Sequence, residues 1–189
     1  MNWTEQLVTQ LEFHWTHQLR PRLDSLVDVE YFREPVPGAW NVHPRGASTA
    51  LVQGGSGDFT IDFAFPEPDP PPVTTIAWRL GHLIVGVFGA RVAAHFGGVA
   101  VDYLTFDYAG TAADALRQLD AVHDAWVDGI RGLDEASLAA PVGPAEGPWA
   151  EHPMAELVLH VNREIIHHGA EIALLRDLYR AGHGGRIAC

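Results

Sequence analysis

Residues 160–172 read His160-Val161-Asn162-Arg163-Glu164-Ile165-Ile166-His167-His168-Gly169-Ala170-Glu171-Ile172. At a helical step of about 100° per residue, His160, Glu164, His167, His168 and Glu171 share one sector roughly 100° wide. Leu157 and Leu175 fall inside that sector and Val161 at its edge, an interleaving unlike an ordinary solvated face. Glu164 and His168, one turn apart, are spaced to share a small ion. Inside a helical bundle such a pair is part of a metal site, completed by one or two ligands from another helix.

This last helix is expected from about Pro153, a residue suited to a first helical turn, to just before Gly184-Gly185. Upstream, a second helix is predicted from Val73 to Phe96, capped by Thr74 or Thr75. Ile76, Ala77, Leu80, Leu83, Ile84, Val87 and Phe88 leave it little polar surface, so it is a buried central helix. Gly81, Gly86 and Gly89 each cost such a helix roughly 1 kcal/mol relative to Ala, which points to close approach by a neighbouring helix or a ligand. His82 sits in its most apolar part, Arg79-Leu80-Gly81-His82-Leu83-Ile84. Taken alone it reads as a hydrogen-bonded core histidine; beside Glu164 and His168 it is the best third ligand, because a metal on one nitrogen and a hydrogen bond at the other satisfy a buried ring.

Two further helices complete a four-helix bundle. Residues 3–27 carry Leu7, Leu11, Trp15, Leu19, Leu23 and Leu26 on one side, with Pro21 expected to kink or divide the helix. Residues 111–133 are amphipathic through Ala115, Leu119, Val122, Trp126 and Ile130. Between the first two helices lies an irregular insertion, residues 33–72, with eight of the thirteen prolines. Within it Phe59 to Phe65 alternates like a short strand, and a short hairpin is compatible with the pattern. A loop of this length is often a lid or a binding segment. Residues 1–189 are read as one domain, with 182–189 a flexible tail.

The segments Pro72-Val73-Thr74-Thr75-Ile76-Ala77-Trp78-Arg79-Leu80-Gly81-His82 and His160 to Ile172 resemble the DinB-like four-helix bundle superfamily. That superfamily includes the mycothiol-dependent maleylpyruvate isomerases and the bacillithiol S-transferase-like proteins. The resemblance runs over nearly the whole chain in helix order, but its motifs lie in these two segments. It implies a ligand set of His82, Glu164 and His168. Many members have His where this chain has Glu164; the mycothiol-dependent isomerases have Glu, and in this the chain is similar to them. The insertion 33–72 is longer than a plain bundle of this kind needs.

Around the three ligands, His160, His167 and Glu171 are expected in the outer shell or the pocket, with Glu171 fixing a neighbouring imidazole and Trp78 a pocket wall. Trp40 and Trp149 are expected in the core or pocket walls as well. His14 and His17 are placed at the surface or rim, one of them within reach of the site mouth, and His43, His95, His123, His152 and His183 in no constellation. Glu164 and His167 form the Glu-x-x-His spacing of di-iron bundles, but only once, which is short of a dinuclear set. No Gly-rich phosphate loop, nucleophile elbow or His-Glu-x-x-His signature is present.

Composition narrows the function. The chain has 189 residues, 47% hydrophobic and 19% charged, with 24 acidic against 12 basic side chains and a net charge of −12. Every base is Arg; the absence of Lys beside abundant Ala, Gly and Asp reads as the codon usage of a GC-rich genome. Scattered Arg residues under that charge exclude the usual nucleic-acid and anionic-membrane surfaces. No apolar stretch is expected to span a bilayer, and Met1-Asn2-Trp3-Thr4-Glu5 lacks the character of a signal peptide. The lone cysteine, Cys189, excludes an intrachain disulfide and a multi-Cys metal site. A cytoplasmic protein is expected, possible as a homodimer.

Two imidazoles and a carboxylate suit zinc or nickel, and also iron. They leave a coordination position open for water or a thiolate. The resemblance implies a low-molecular-weight thiol bound there and added to a small electrophile, that is, a thiol S-transferase or isomerase. The same site could serve a hydrolase, and a non-catalytic stress-response bundle with a vestigial site is the reading from another class.

Overall fold

A computed structural model gives residues 1–184 of the chain. Cys189 and most of the expected tail lie outside the described residues, while residues 182–184 continue the last helix.

Helix α1 covers residues 3–23, with Trp3–His14 and Arg20–Leu23 joined by a π-helical turn, Trp15–Leu19. The Asn2 side chain caps it by accepting from the Glu5 N–H, relieving one of the unpaired first-turn donors. Leu7, Leu11, Trp15, Leu19 and Leu23 are buried as their spacing requires. Pro21 neither divides nor visibly interrupts this run. It follows the π-helical turn, where the Arg20 N–H reaches back to the Trp15 carbonyl, and the helix stops two residues later instead of at residue 27. Leu26 is buried beyond its end. A short helix α2, Asp28–Tyr31, follows.

The insertion holds a three-stranded antiparallel sheet where one strand or a hairpin was expected. Strands β1 (Val42–Pro44), β2 (Val52–Gly54) and β3 (Phe59–Phe63) stand in the order β1-β3-β2, with Val42 opposite Ile61 and Val52 opposite Phe63. Burial does not alternate along β3: Thr60, Ile61 and Asp62 are all buried. Asp62 can go inside because three donors meet it, the Asn41 N–H at 3.0 Å, His43 Nε2 at 3.0 Å and Ser48 Oγ at 2.5 Å.

Helix α3, residues 76–96, consists of Ile76–Gly81, a π-helical stretch His82–Gly89, and Ala90–Phe96. Thr75 is its cap, accepting from the Trp78 N–H. By length and composition alone, Ile76–Phe96 is apolar enough to cross a membrane, contrary to the expectation that no stretch would be; 72% of its most apolar 18-residue window is buried inside the protein. Its glycines are approached by side chains from outside the four long helices. A Cβ at Gly81 would stand 2.9 Å from Ile61 Cδ1, one at Gly89 2.8 Å from Val101 Cγ2, and one at Gly86 would overlap the Tyr103 hydroxyl. The sheet and the segment 97–111 are what come close.

Helix α4, Ala112–Arg131, is capped by Thr111. A short helix α5 (Glu135–Ala139) and a 3-10 turn (Pro144–Trp149) lead to α6, Met154–Gly184. The four long helices pack through Leu11, Phe88, Trp126, Val161 and Ile165. Asn162 donates to the Leu7 carbonyl and Arg22 pairs with Asp177, so α1 and α6 run parallel. Arg20 pairs with Asp120 and Arg131 with Glu12, so α4 runs against α1. Phe88 meets His123 and Phe96 meets Trp126, so α3 runs with α4. Two parallel neighbours in sequence need a crossover, and residues 97–111 are that crossover. At one end of α6, buried Arg176 donates to both oxygens of buried Glu30 at 2.7 and 3.0 Å and to the Arg22 and Asp24 carbonyls.

Candidate metal centre

Helices α3 and α6 bring His82, Glu164 and His168 together: one ligand atom from each, all within 4.8 Å of one another. His168 Nε2 lies 3.4 Å from Glu164 Oε2. Ligands about 2.1 Å from a tetrahedral ion stand roughly 3.4 Å apart, so this pair already has the spacing of two donors on one metal. The donor set of two imidazoles and a carboxylate fits a divalent first-row ion.

The ring of His82 lies between aromatic neighbours. Trp78 stacks at 5.6 Å between centroids, Tyr103 lies nearly coplanar in tilt at 6.3 Å, and His168 meets it edge-on at 4.8 Å. Phe63 of β3 packs on both Trp78 and Tyr103, and Trp40 on Trp78 and Phe63. The insertion therefore supplies part of the aromatic wall. Its hold on the site is also polar, since Trp78 Nε1 donates to the Asp62 carbonyl at 2.8 Å.

Each imidazole has its second nitrogen engaged. His82 Nδ1 is 2.7 Å from the Tyr103 hydroxyl, and His168 Nδ1 is 2.7 Å from Glu171 Oε2. A carboxylate accepts, so His168 carries its proton on Nδ1 and keeps the Nε2 lone pair for a metal. Arg79 also donates to Glu171 Oε2, at 3.0 Å, while lying over the Trp78 ring. Its 3.2 Å approach to His168 Nδ1 is then two donors converging on one carboxylate oxygen.

Burial, reinforced by His168, Arg79 and Arg91, pushes the His82 imidazole down to about 3, so it is neutral at neutral pH. Neutral imidazole is the form a metal takes. Burial pushes the Tyr103 phenol up to about 12 against the opposing charge of Arg91, so it keeps its proton. Burial also lowers the Arg79 guanidinium from its ordinary value, with Glu171 acting the other way.

Not every expected residue joins. The five ionisable groups of the α6 sector do not all face inward: His167 is 62% exposed. It forms with His168 and Glu171 a second group of possible ligands on the outer side. His160 is half-buried, its Nδ1 accepting from Arg163 at 2.7 Å and standing 3.7 Å from Glu164 Oε1. Burial, with Arg163 and Arg91, lowers its pKa against the pull of Glu164 and Glu146.

Outside the centre, His14 is not at the rim. It is buried beside Gly169 of α6, whereas His17 is exposed. His123 is buried in a stack on Trp15 with centroids 3.7 Å apart, and His95 pairs with Glu146. Trp149 is 61% exposed, not a core residue. The residues that spacing did not reveal are Tyr103, Arg79 and Phe63. For Tyr103 alone there was a signal, the glycine at position 86, which marked a close approach without naming the partner.

A family model for the DinB superfamily matches residues 10–172, a span that includes all three ligand candidates and Tyr103. No curated protein and no solved structure matches the chain.

Proposed function

We propose, because this chain belongs to the DinB superfamily, that it is a metal-dependent transferase or isomerase using a low-molecular-weight thiol of the mycothiol kind. The observation that carries the proposal is the convergence of His82, Glu164 and His168 within 4.8 Å, with the outer nitrogens of both imidazoles already engaged. His82, Glu164 and His168 would hold one divalent ion, zinc or nickel ahead of iron. Such an ion would favour the thiolate form of a bound thiol, which is the nucleophile. The chain's own residues do the positioning. Glu171 fixes the His168 tautomer, Arg79 holds Glu171, and Tyr103 orients His82. Trp78, Phe63 and Tyr103 keep water from the His82 side of the centre.

The test is elemental analysis of untagged protein beside His168→Ala, followed by cobalt substitution and titration with thiol. Near-stoichiometric metal, lost in the variant, and a thiolate charge-transfer band on thiol addition are expected. Metal without any spectral response to thiol would turn the reading toward a hydrolase. No metal in either sample after reconstitution would leave a buried polar network and end the enzyme reading.

A further inference from the structure

A cleft of about 390 Å³ lies between α3, the connection 140–153 and the first turns of α6, within the roughly 300–1,000 Å³ usual for small-molecule sites. His160, one turn before Glu164, is in its wall, so the cleft adjoins the candidate metal centre. Val142, Leu157, Leu159 and Trp149 make its apolar side.

The polar side is uneven in its hydrogen bonds. Its carboxylates already hold donors. Glu146 takes His95 Nε2 on one oxygen at 3.0 Å and Arg91 on the other at 3.3 Å, and Glu156 takes His152 Nδ1 at 2.9 Å. Its donors are not all taken. A guanidinium has five N–H groups. Arg91 places one on the Gly86 carbonyl and one on Glu146, and its Nε finds no partner. Arg163 places one on His160 Nδ1 and has its Nε 3.8 Å from Glu164 Oε1, with the rest of its 69% exposed side chain turned to solvent. Because Arg163 can only donate, His160 Nδ1 is the acceptor and its remaining proton sits on Nε2, a further donor.

We propose that this cleft binds the substrate that meets the metal centre, and that it selects an amphipathic monoanion: an apolar body against Trp149 and Leu157 with a carboxylate between Arg91 and Arg163. The inference deepens the functional reading above and rests on it for the chemistry, though not for the binding itself. Paired charge-assisted donors recognise a carboxylate in a way that neutral or cationic groups of the same shape cannot match.

The test uses metal-stripped protein, so that no carboxylate can bind through a metal. Three probes of one shape, 3-phenylpropionate, 3-phenylpropionamide and 3-phenylpropylammonium, are titrated by calorimetry. The carboxylate is expected to bind at least about tenfold tighter than the amide, roughly the gain of one charge-assisted contact, with the ammonium weakest. Arg163→Gln, at an exposed position that does not threaten the fold, should reduce the preference for carboxylate over amide, and Arg91→Gln should reduce it further. Trp149→Ala should weaken carboxylate and amide alike. Equal binding of the three probes, preference for the ammonium, no saturable binding by any, or a preference unchanged in both Arg variants would overturn the proposal. Metal content is measured separately on the same preparations. A cleft that selects carboxylate in a protein that never takes metal sinks the functional reading alone, and a metal-binding protein whose cleft shows no selection sinks this inference alone.

Discussion

Tyr103 sets its hydroxyl 2.7 Å from His82 Nδ1, and it does so from the crossover that lets α3 and α4 run parallel. A residue on a connection thus orients a ligand on the most buried helix. The tautomer in which Nδ1–H donates to the phenol oxygen is the one that leaves Nε2 of His82 for a metal.

Tyr103→Phe keeps the ring and its packing on Phe63 but removes that hydroxyl. Loss of such an orienting partner commonly costs about 10–100-fold in metal affinity. Competition against a chromophoric chelator should show a loss in this range with the helical circular dichroism unchanged. Unaltered affinity would mean the hydroxyl only fills space.

Gly86→Ala acts on the same contact from the helix side. Its methyl would overlap the Tyr103 hydroxyl, and forced overpacking costs about 1–3 kcal/mol. Urea denaturation should register that loss, and metal affinity should fall as in Tyr103→Phe. A stable variant with undiminished affinity would show that the crossover can shift freely.

The pH dependence of the metal-free protein follows from His82. Its imidazole is held down to about 3 from an ordinary 6.5, so the unfolded chain binds a proton that the folded one refuses. Its contribution to stability is present above pH 6.5 and is lost as pH falls from there toward 3. Denaturation midpoints measured between pH 7 and 5, above the range where most carboxylates titrate, should drop in the wild type and drop less in His82→Gln. Parallel curves would count against the burial of this ring.

Glu30→Ala would leave the Arg176 guanidinium buried without its carboxylate. Breaking such a pair costs about 3–5 kcal/mol. The double variant Glu30→Leu with Arg176→Met should recover much of the loss, since an apolar pair of similar volume removes the uncompensated charge. Equal destabilisation of single and double variants would assign the loss to packing instead.

Much of this was legible in the chain. The spacing of Leu7, Leu11, Trp15, Leu19 and Leu23 set most of α1, and Thr74 or Thr75 marked the start of α3, because periodicity and capping are local. Glu164 and His168 declared themselves for the same reason, being one turn apart on one helix. The rest depended on residues far apart in sequence. Asp62 could be buried in β3 only because Asn41, His43 and Ser48 supply donors, which no alternation pattern encodes. Tyr103 reaches His82 only because α3 and α4 run parallel. His167 was read inward because a helical wheel gives angle but not what stands opposite, and at that angle nothing buries it.

The crossover leaves one more consequence. His82 stands on α3 and Glu164 and His168 on α6, with nearly half the chain between them, including residues 97–111 and all of α4. An ion held by the three would act as a clasp that turns this span into a closed ring, and clasps over long spans restrict the unfolded chain most. Chelation should therefore loosen α4, a helix that supplies no ligand, and its backbone amides should exchange with solvent faster once the clasp is undone.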